Sequence, residues 1–185
     1  VALAPSQLGM RGEELRSTVR RALELMGIEH ISKRPPHRLS RGEAARVALA
    51  GILAQDPLVI LLDEPGASLD LEGISSLIEL VREARGRGKI IGVASQDTEL
   101  VAELADRVYL LKGGSVIAHG EAEKLLSDLD LLKSAGVRPP PAVRLSRAVL
   151  PGGRTRLPIR EEELIQLLKL RCPCLGEEEL TCPYR

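Results

Sequence analysis

Leu15, Val19, Ala22, Leu23 and Met26 recur at helical spacing among polar residues, and Gly27 follows as a stop, so the pattern predicts an amphipathic helix over 12–26. Arg34-Pro35-Pro36-His37 interrupts the chain. Ser40 then stands where an N-cap belongs, with Glu43 three residues on as in a capping box, ahead of a helix over 43–53 that Asp56-Pro57 ends. Leu58-Val59-Ile60-Leu61-Leu62 is wholly apolar, as expected of a strand buried on both faces of a parallel sheet. Ile74, Leu77, Ile78 and Val81 share one face of a second helix over 70–85, and a second buried strand is expected over 89–94. A short helix over 97–104 follows. Two apolar stretches, 108–111 and 115–118, flank Gly113-Gly114, which is a hairpin signal. Strands alternating with helices indicate an α/β layer structure. After about Asp128 the texture changes: Pro139-Pro140-Pro141 and Pro151-Gly152-Gly153 punctuate two short helical patterns near 142–150 and 161–170, which read as a separate small appendage.

Composition narrows the classes. A length of 185 residues fits one domain, or one domain plus an appendage, and 44% hydrophobic content is ordinary for a chain that buries a core. Phe and Trp are absent and the only tyrosines are Tyr109 and Tyr184, so the core must be aliphatic. Lys+Arg and Asp+Glu are each 26, and this zero balance argues against a nucleic-acid partner, as does the want of aromatic platforms for stacking on bases. No apolar run approaches the roughly 20 residues of a bilayer span. Residues 1–9 lack the basic and apolar regions of a signal peptide. Cys172, Cys174 and Cys182 cluster at the end rather than spreading as a disulfide framework would, which fits a reducing cytoplasm. They offer three thiolates to zinc, but the spacing is not that of a knuckle and a fourth ligand is missing; an unstructured tail is the alternative. His30, His37 and His119 have no metal partners at ligand spacing and read as structural.

Three short motifs carry chemistry. In Leu39-Ser40-Arg41-Gly42-Glu43, a glycine in the first helical turn lets main-chain N–H groups approach a ligand, and the helix start supplies unpaired donors suited to a phosphate. Alone, this is equally a capped helix with a glycine in it. Asp63-Glu64-Pro65 places two acids at the C-terminal end of the first strand, where α/β folds bind ligands. Asp63 is placed to hold Mg²⁺ through water and Glu64 to polarise an attacking water; the plain alternative is an acidic turn. Gly66-Ala67-Ser68-Leu69-Asp70 follows directly, by itself only a loop and a helix cap.

The order and spacing of these motifs resemble the ABC ATPase family: its signature motif, Walker B strand and D-loop. Val93-Ala94-Ser95-Gln96-Asp97 looks like the family's switch segment, and Ala105-Asp106-Arg107-Val108-Tyr109-Leu110-Leu111-Lys112-Gly113-Gly114 through His119-Gly120 resembles the hairpin of transporter ATPases. The likeness covers 1 to about 127. Residues 131–140, 143–145 and 161–168, with Arg34-Pro35-Pro36-His37, look like energy-coupling-factor and cobalt-type importer ATPases. The resemblance implies part of an α/β P-loop NTPase domain, with a parallel sheet core and a helical subdomain. Residues 1–56 hold the signature region, 57–127 the Walker B strand to the hairpin, 128–171 a small helical C-terminal extension and 172–185 a cysteine-containing tail. It implies ATP and Mg²⁺ as cofactors, with Ser40, Gly42 and Asp70 at the nucleotide, Asp63 at the metal, and Glu64 and Gln96 catalytic. It further implies a second ABC ATPase subunit, identical or different and paired head-to-tail, a transmembrane coupling protein, and a place on the cytoplasmic face of the cell membrane.

The chain departs from that pattern in several ways. The phosphate loop G-x-x-x-x-G-K-S/T does not occur in it, nor does the Gln-bearing loop, and the resemblance places Val1 just after the latter. On that reading the chain forms no ATP site of its own but can offer Ser40 and Gly42 to a nucleotide held by a partner. Arg41 stands where the signature usually has Gly, and Gln96 stands where the family has its switch His. Gln can hydrogen-bond a phosphate oxygen but cannot become cationic. The leading expectation is the ATPase subunit of an importer; the alternatives are a non-catalytic, partner-binding ABC fragment and a soluble ABC protein of DNA repair or translation.

Overall fold

The computed structural model describes residues 1–149 and 157–171. The described residues form two compact units that divide between Gln96 and Asp97.

In the first unit, α1 (Leu3–Gln7) and α2 (Gly12–Leu25) precede two single 3₁₀ turns, Glu29–Ile31 and Pro36–Arg38. Helix α3 (Arg41–Gln55), strand β1 (Val59–Asp63), helix α4 (Leu71–Gly86) and strand β2 (Ile90–Ala94) follow. Gly27 takes φ +64, the left-handed turn that only a residue without Cβ adopts freely, and ends the α2 segment as the sequence predicts. Helix α3 ends on Asp56, also left-handed at φ 51. The Asp56 carboxylate accepts from Arg87 Nη2 at 2.8 Å and from Lys89 Nζ, and Lys89 also donates to the Pro57 carbonyl at 2.9 Å. That clamp ties the end of α3 to the approach to β2. Met26, Ile28, Ala50, Leu77 and Leu80 are fully or almost fully buried, an aliphatic core that a chain without Phe or Trp must build.

β1 and β2 pair in parallel, from Val59↔Ile90 to Asp63↔Ala94, with α4 as the crossover. Ile60 and Leu62 are buried, whereas Val59 and Leu61 are 49% and 77% exposed. The expectation of a strand covered on both faces is therefore corrected for the described residues: one face is covered and the other is open. An unbroken apolar run shows that both faces tolerate burial, not that a layer lies on each. Leu61 leans across the strand opposite, where a Cβ on Gly92 would sit 2.8 Å from its Cδ2, so Gly92 makes room for it.

The second unit contains α5 (Thr98–Leu104), the antiparallel hairpin β3 (Arg107–Lys112) and β4 (Ser115–Glu121), and helices α6 (Ala122–Ser127), α7 (Leu129–Ala135), α8 (Pro141–Val149) and α9 (Glu161–Arg171). Gly113 and Gly114 take φ +57 and +77, the pair of left-handed residues a two-residue hairpin turn requires. Helices α6 and α7 are not marked by the periodicity of so short a stretch. Asp128 caps α7 by accepting from the Leu131 N–H at 2.9 Å. Ala102, Leu110, Ala122, Leu126, Leu132, Val143, Leu157 and Ile159 form one buried cluster, so residues on both sides of 127/128 share it. Leu150, the Pro151-Gly152-Gly153 turn and the tail with Cys172, Cys174 and Cys182 lie outside the described residues. No described helix is long and apolar enough to cross a membrane.

Candidate functional site

The expected site residues come together as two groups within the first unit. The first is the start of α3 with the loop that precedes α4. Ser40 has extended backbone, its Oγ accepts from the Glu43 N–H at 3.1 Å, and Glu43 Oε2 accepts from the Ser40 N–H at 2.7 Å. This is the capping box the spacing predicts. Arg34 Nη1 donates to Glu43 Oε1 at 2.8 Å. The Glu43 carboxyl is held below its ordinary value, first by the Ser40 main-chain N–H and further by the Ser40 side chain and Arg34. Once its lone pair serves the helix, the Ser40 hydroxyl still has a hydrogen to give to an anion. Gly42 lies against the loop: a Cβ there would stand 3.3 Å from the Ser68 carbonyl oxygen, which accounts for a residue without a side chain at that point.

Asp70 N-caps α4, its Oδ1 accepting from the Gly73 N–H at 2.9 Å. Its other oxygen accepts from Arg46 Nη2 at 3.4 Å, and Arg46 Nη1 lies 3.6 Å from Glu72 Oε2. Arg46 is 9% exposed and its Nε has no hydrogen-bond partner. It joins α3 to the aspartate that caps α4, and the sequence reading did not single it out. A signal was present: Arg46 shares the helical spacing of Leu49 and Ala50, the buried face of α3.

The second group sits at the C-terminal ends of β1 and β2. Asp63 is the last residue of β1 and is exposed. Glu64 follows with φ +42, a left-handed conformation that costs a non-glycine residue energy and is held only where surrounding bonds impose it. Its N–H donates to the Ala94 carbonyl at 2.8 Å, Ser95 Oγ donates to its Oε2 at 2.9 Å, and the Gln96 N–H donates to its Oε1 at 3.0 Å. Glu64 is thus fastened to the end of β2 by main chain and side chain together. Gln96 reaches it through the main chain. Ser95 was placed by the sequence in the switch segment, but its bond to Glu64 spans 31 positions and had no local signal.

Asp63 suits Mg²⁺, which takes hard oxygen donors and commonly one or two carboxylates, completing its shell with water and phosphate oxygens. No group of three or more His, Cys, Asp or Glu side chains that could hold a metal ion occurs among the described residues.

A family model described as ABC transporter matches residues 4–67. An energy-coupling factor transporter ATP-binding protein of Methanospirillum hungatei is 41% identical over 147 residues, 80% of this chain and 37% of that protein. A cobalt import ATP-binding protein of Rhodobacter capsulatus is 42% identical over 146 residues, 79% of this chain and 52% of that protein. The chain spans about half the length, or less, of these curated relatives. A solved component of an ABC transporter complex from Clostridium perfringens superposes with a TM-score of 0.57 at 33% identity, covering 77% of this chain and 58% of that one. A dimeric ATP-binding cassette in a post-hydrolysis state, bound to ADP and phosphate, superposes with a TM-score of 0.56 at 29% identity, over 62% of this chain and 50% of that one.

Proposed function

Because the chain belongs to the ABC transporter ATPase family and has part of that α/β fold, we propose that it supplies ATP binding and hydrolysis to an energy-coupling-factor-type importer of a metal ion or vitamin. The observation that carries this reading is the Glu64 carboxylate, fixed beside Asp63 at the strand ends by Ser95 and the Gln96 N–H. An acid held at that place can accept a hydrogen bond from a water and so aim the water oxygen at a phosphorus atom. Asp63 would hold Mg²⁺, which draws charge from the phosphate oxygens. The Ser40 hydroxyl and the N–H groups near Gly42 would donate to the γ-phosphate of a nucleotide held by a second, head-to-tail ATPase subunit. The Gln96 amide can donate to the same phosphate, and Asp70 meets the partner from the D-loop.

ATP binding then closes two such subunits and hydrolysis lets them part, which moves an attached transmembrane protein at the cytoplasmic face of the membrane. The 185 residues alone contain no G-x-x-x-x-G-K-S/T, and on this reading they bind MgATP no more tightly than about 1 mM, a change of roughly 4 kcal/mol from micromolar affinity. Titration calorimetry on the chain alone and on the chain assembled with its partner tests both halves. Micromolar binding by the 185 residues would overturn the composite-site reading. An assembled complex that binds ATP but whose turnover is indifferent to this subunit would favour the non-catalytic alternative.

A further inference from the structure

We propose that Ser95 is a positioning residue for the Glu64 carboxylate, and that residue 96 assists through its main-chain N–H, independently of the side chain it carries. The inference rests on the ATPase reading above and goes one step further, making turnover depend on the Ser95 hydroxyl that touches Glu64.

Glu64 poses a mechanical problem. A glutamate has three side-chain torsions, and freezing them costs conformational entropy. Its backbone is moreover in a left-handed conformation, which aims the side chain differently from its neighbours in β1. Both costs are met by bonds to one short segment. The Glu64 N–H is fixed to Ala94, whose Cα is the ladder partner of Asp63, so the main chain of 64 continues the pairing by one step. The two carboxylate oxygens are then taken by consecutive residues, Oε2 by Ser95 Oγ and Oε1 by the Gln96 N–H, at 2.9 and 3.0 Å. One donor on each oxygen sets both the position and the plane of the carboxylate.

The arrangement does not exhaust the acid. An ionised carboxylate has about four lone-pair sites, so each oxygen keeps one to accept a hydrogen from water. Of the two donors, the Gln96 N–H is main chain and is present with His, Gln or any other non-proline residue at 96. The departure from the family's switch His therefore leaves the base in place and leaves the amide side chain for a phosphate oxygen. Ser95 is the donor that the sequence controls. Ala would remove it, Cys would keep its shape with a weak donor, and Thr would keep the hydroxyl.

The test uses the subunit assembled with its partner ATPase, with steady-state turnover and the KM for ATP as readouts. Ser95→Ala is expected to lower kcat on the order of tenfold with KM unchanged, because what is lost is alignment in the transition state rather than binding. Ser95→Thr should recover kcat, and Ser95→Cys should lower it as Ser95→Ala does, which keeps the question decidable should the alanine variant fail to fold. In a Glu64→Gln background, Ser95→Ala should have no further effect. Ser95→Ala at the wild-type rate, with Glu64→Gln inactive, would overturn the positioning role and leave the ATPase reading standing. A raised KM at constant kcat, or threonine no better than alanine, would also overturn it. Glu64→Gln at the wild-type rate would remove the ATPase reading and this one with it.

Discussion

The start of α3 and the end of β1 both carry site residues, but different kinds of bond hold them. At α3 the acceptors and donors lie three residues apart: Ser40 and Glu43 exchange two hydrogen bonds as the first helical turn forms. At β1 the partners lie 31 and 32 positions away, so Glu64 has no fixed carboxylate until β2 has paired with β1. The group proposed to face a phosphate is thus local and self-contained. The group proposed for hydrolysis exists only as a product of tertiary structure. Damage at the first should cost stability and leave the second intact; damage at the second should cost chemistry with little cost in folding.

The largest expected effect lies at the hydrolytic end. In the assembled complex, Glu64→Gln should lower ATP turnover by about 100-fold or more while ATP affinity changes little, since the proposed water polarisation would be lost and the proposed phosphate contacts would not. Turnover assays with parallel nucleotide titration check this, and unchanged turnover would remove Glu64 from the role assigned to it. Next in size is Gln96→His. A neutral amide replaced by a group that can carry charge should raise turnover by about five- to thirtyfold, the value of strengthening one hydrogen bond to the γ-phosphate by on the order of 1–2 kcal/mol. Comparing it with Arg41→Gly and with the double variant shows which of the two departures limits the rate; a flat or lower rate for Gln96→His alone would mean that residue 96 does not meet the phosphate.

Smaller effects sharpen the contrast from the stability side. Asp70→Ala removes a helix cap and also leaves the buried Arg46 without one of its carboxylates, so a loss of about 2 kcal/mol is expected. Ser40→Ala removes only a local cap and should cost about 1 kcal/mol. Urea midpoints on the 185 residues measure both, and equal losses would mean that Arg46 draws nothing from Asp70.

The smallest effect is a pH dependence. Hydrogen bonding and charge from Lys89, then Arg87, hold the Asp56 carboxyl below its usual value. A depressed pKa contributes stability that is present above the unfolded value, about 3.9, and is lost as pH falls through the folded one. The stability gap between the native chain and Asp56→Asn should therefore be open at neutral pH and narrow below about pH 4. Midpoints followed across that range test it, and a gap that holds constant into acid would show that the Asp56 clamp does not titrate.

Much of this molecule is legible along the chain, because local bonding rules act between near neighbours. The capping box at Ser40, the left-handed stop at Gly27, the two-glycine turn at 113–114 and the acidic end of β1 each follow from residues a few positions apart. What tertiary structure decided involves partners that no local pattern couples. It turned Glu64 into the left-handed region and gave its carboxylate to Ser95 and the Gln96 main chain. It buried Arg46 against Asp70, left Leu61 open while Leu62 was covered, and drew 122–135 into one aliphatic cluster with Leu110 and Val143. A hydrogen bond across 31 positions depends on which strands pair and in what register, and an apolar residue is buried only if another element lies on its face. The chain states which groups can bond or be buried; only the fold brings their partners within reach.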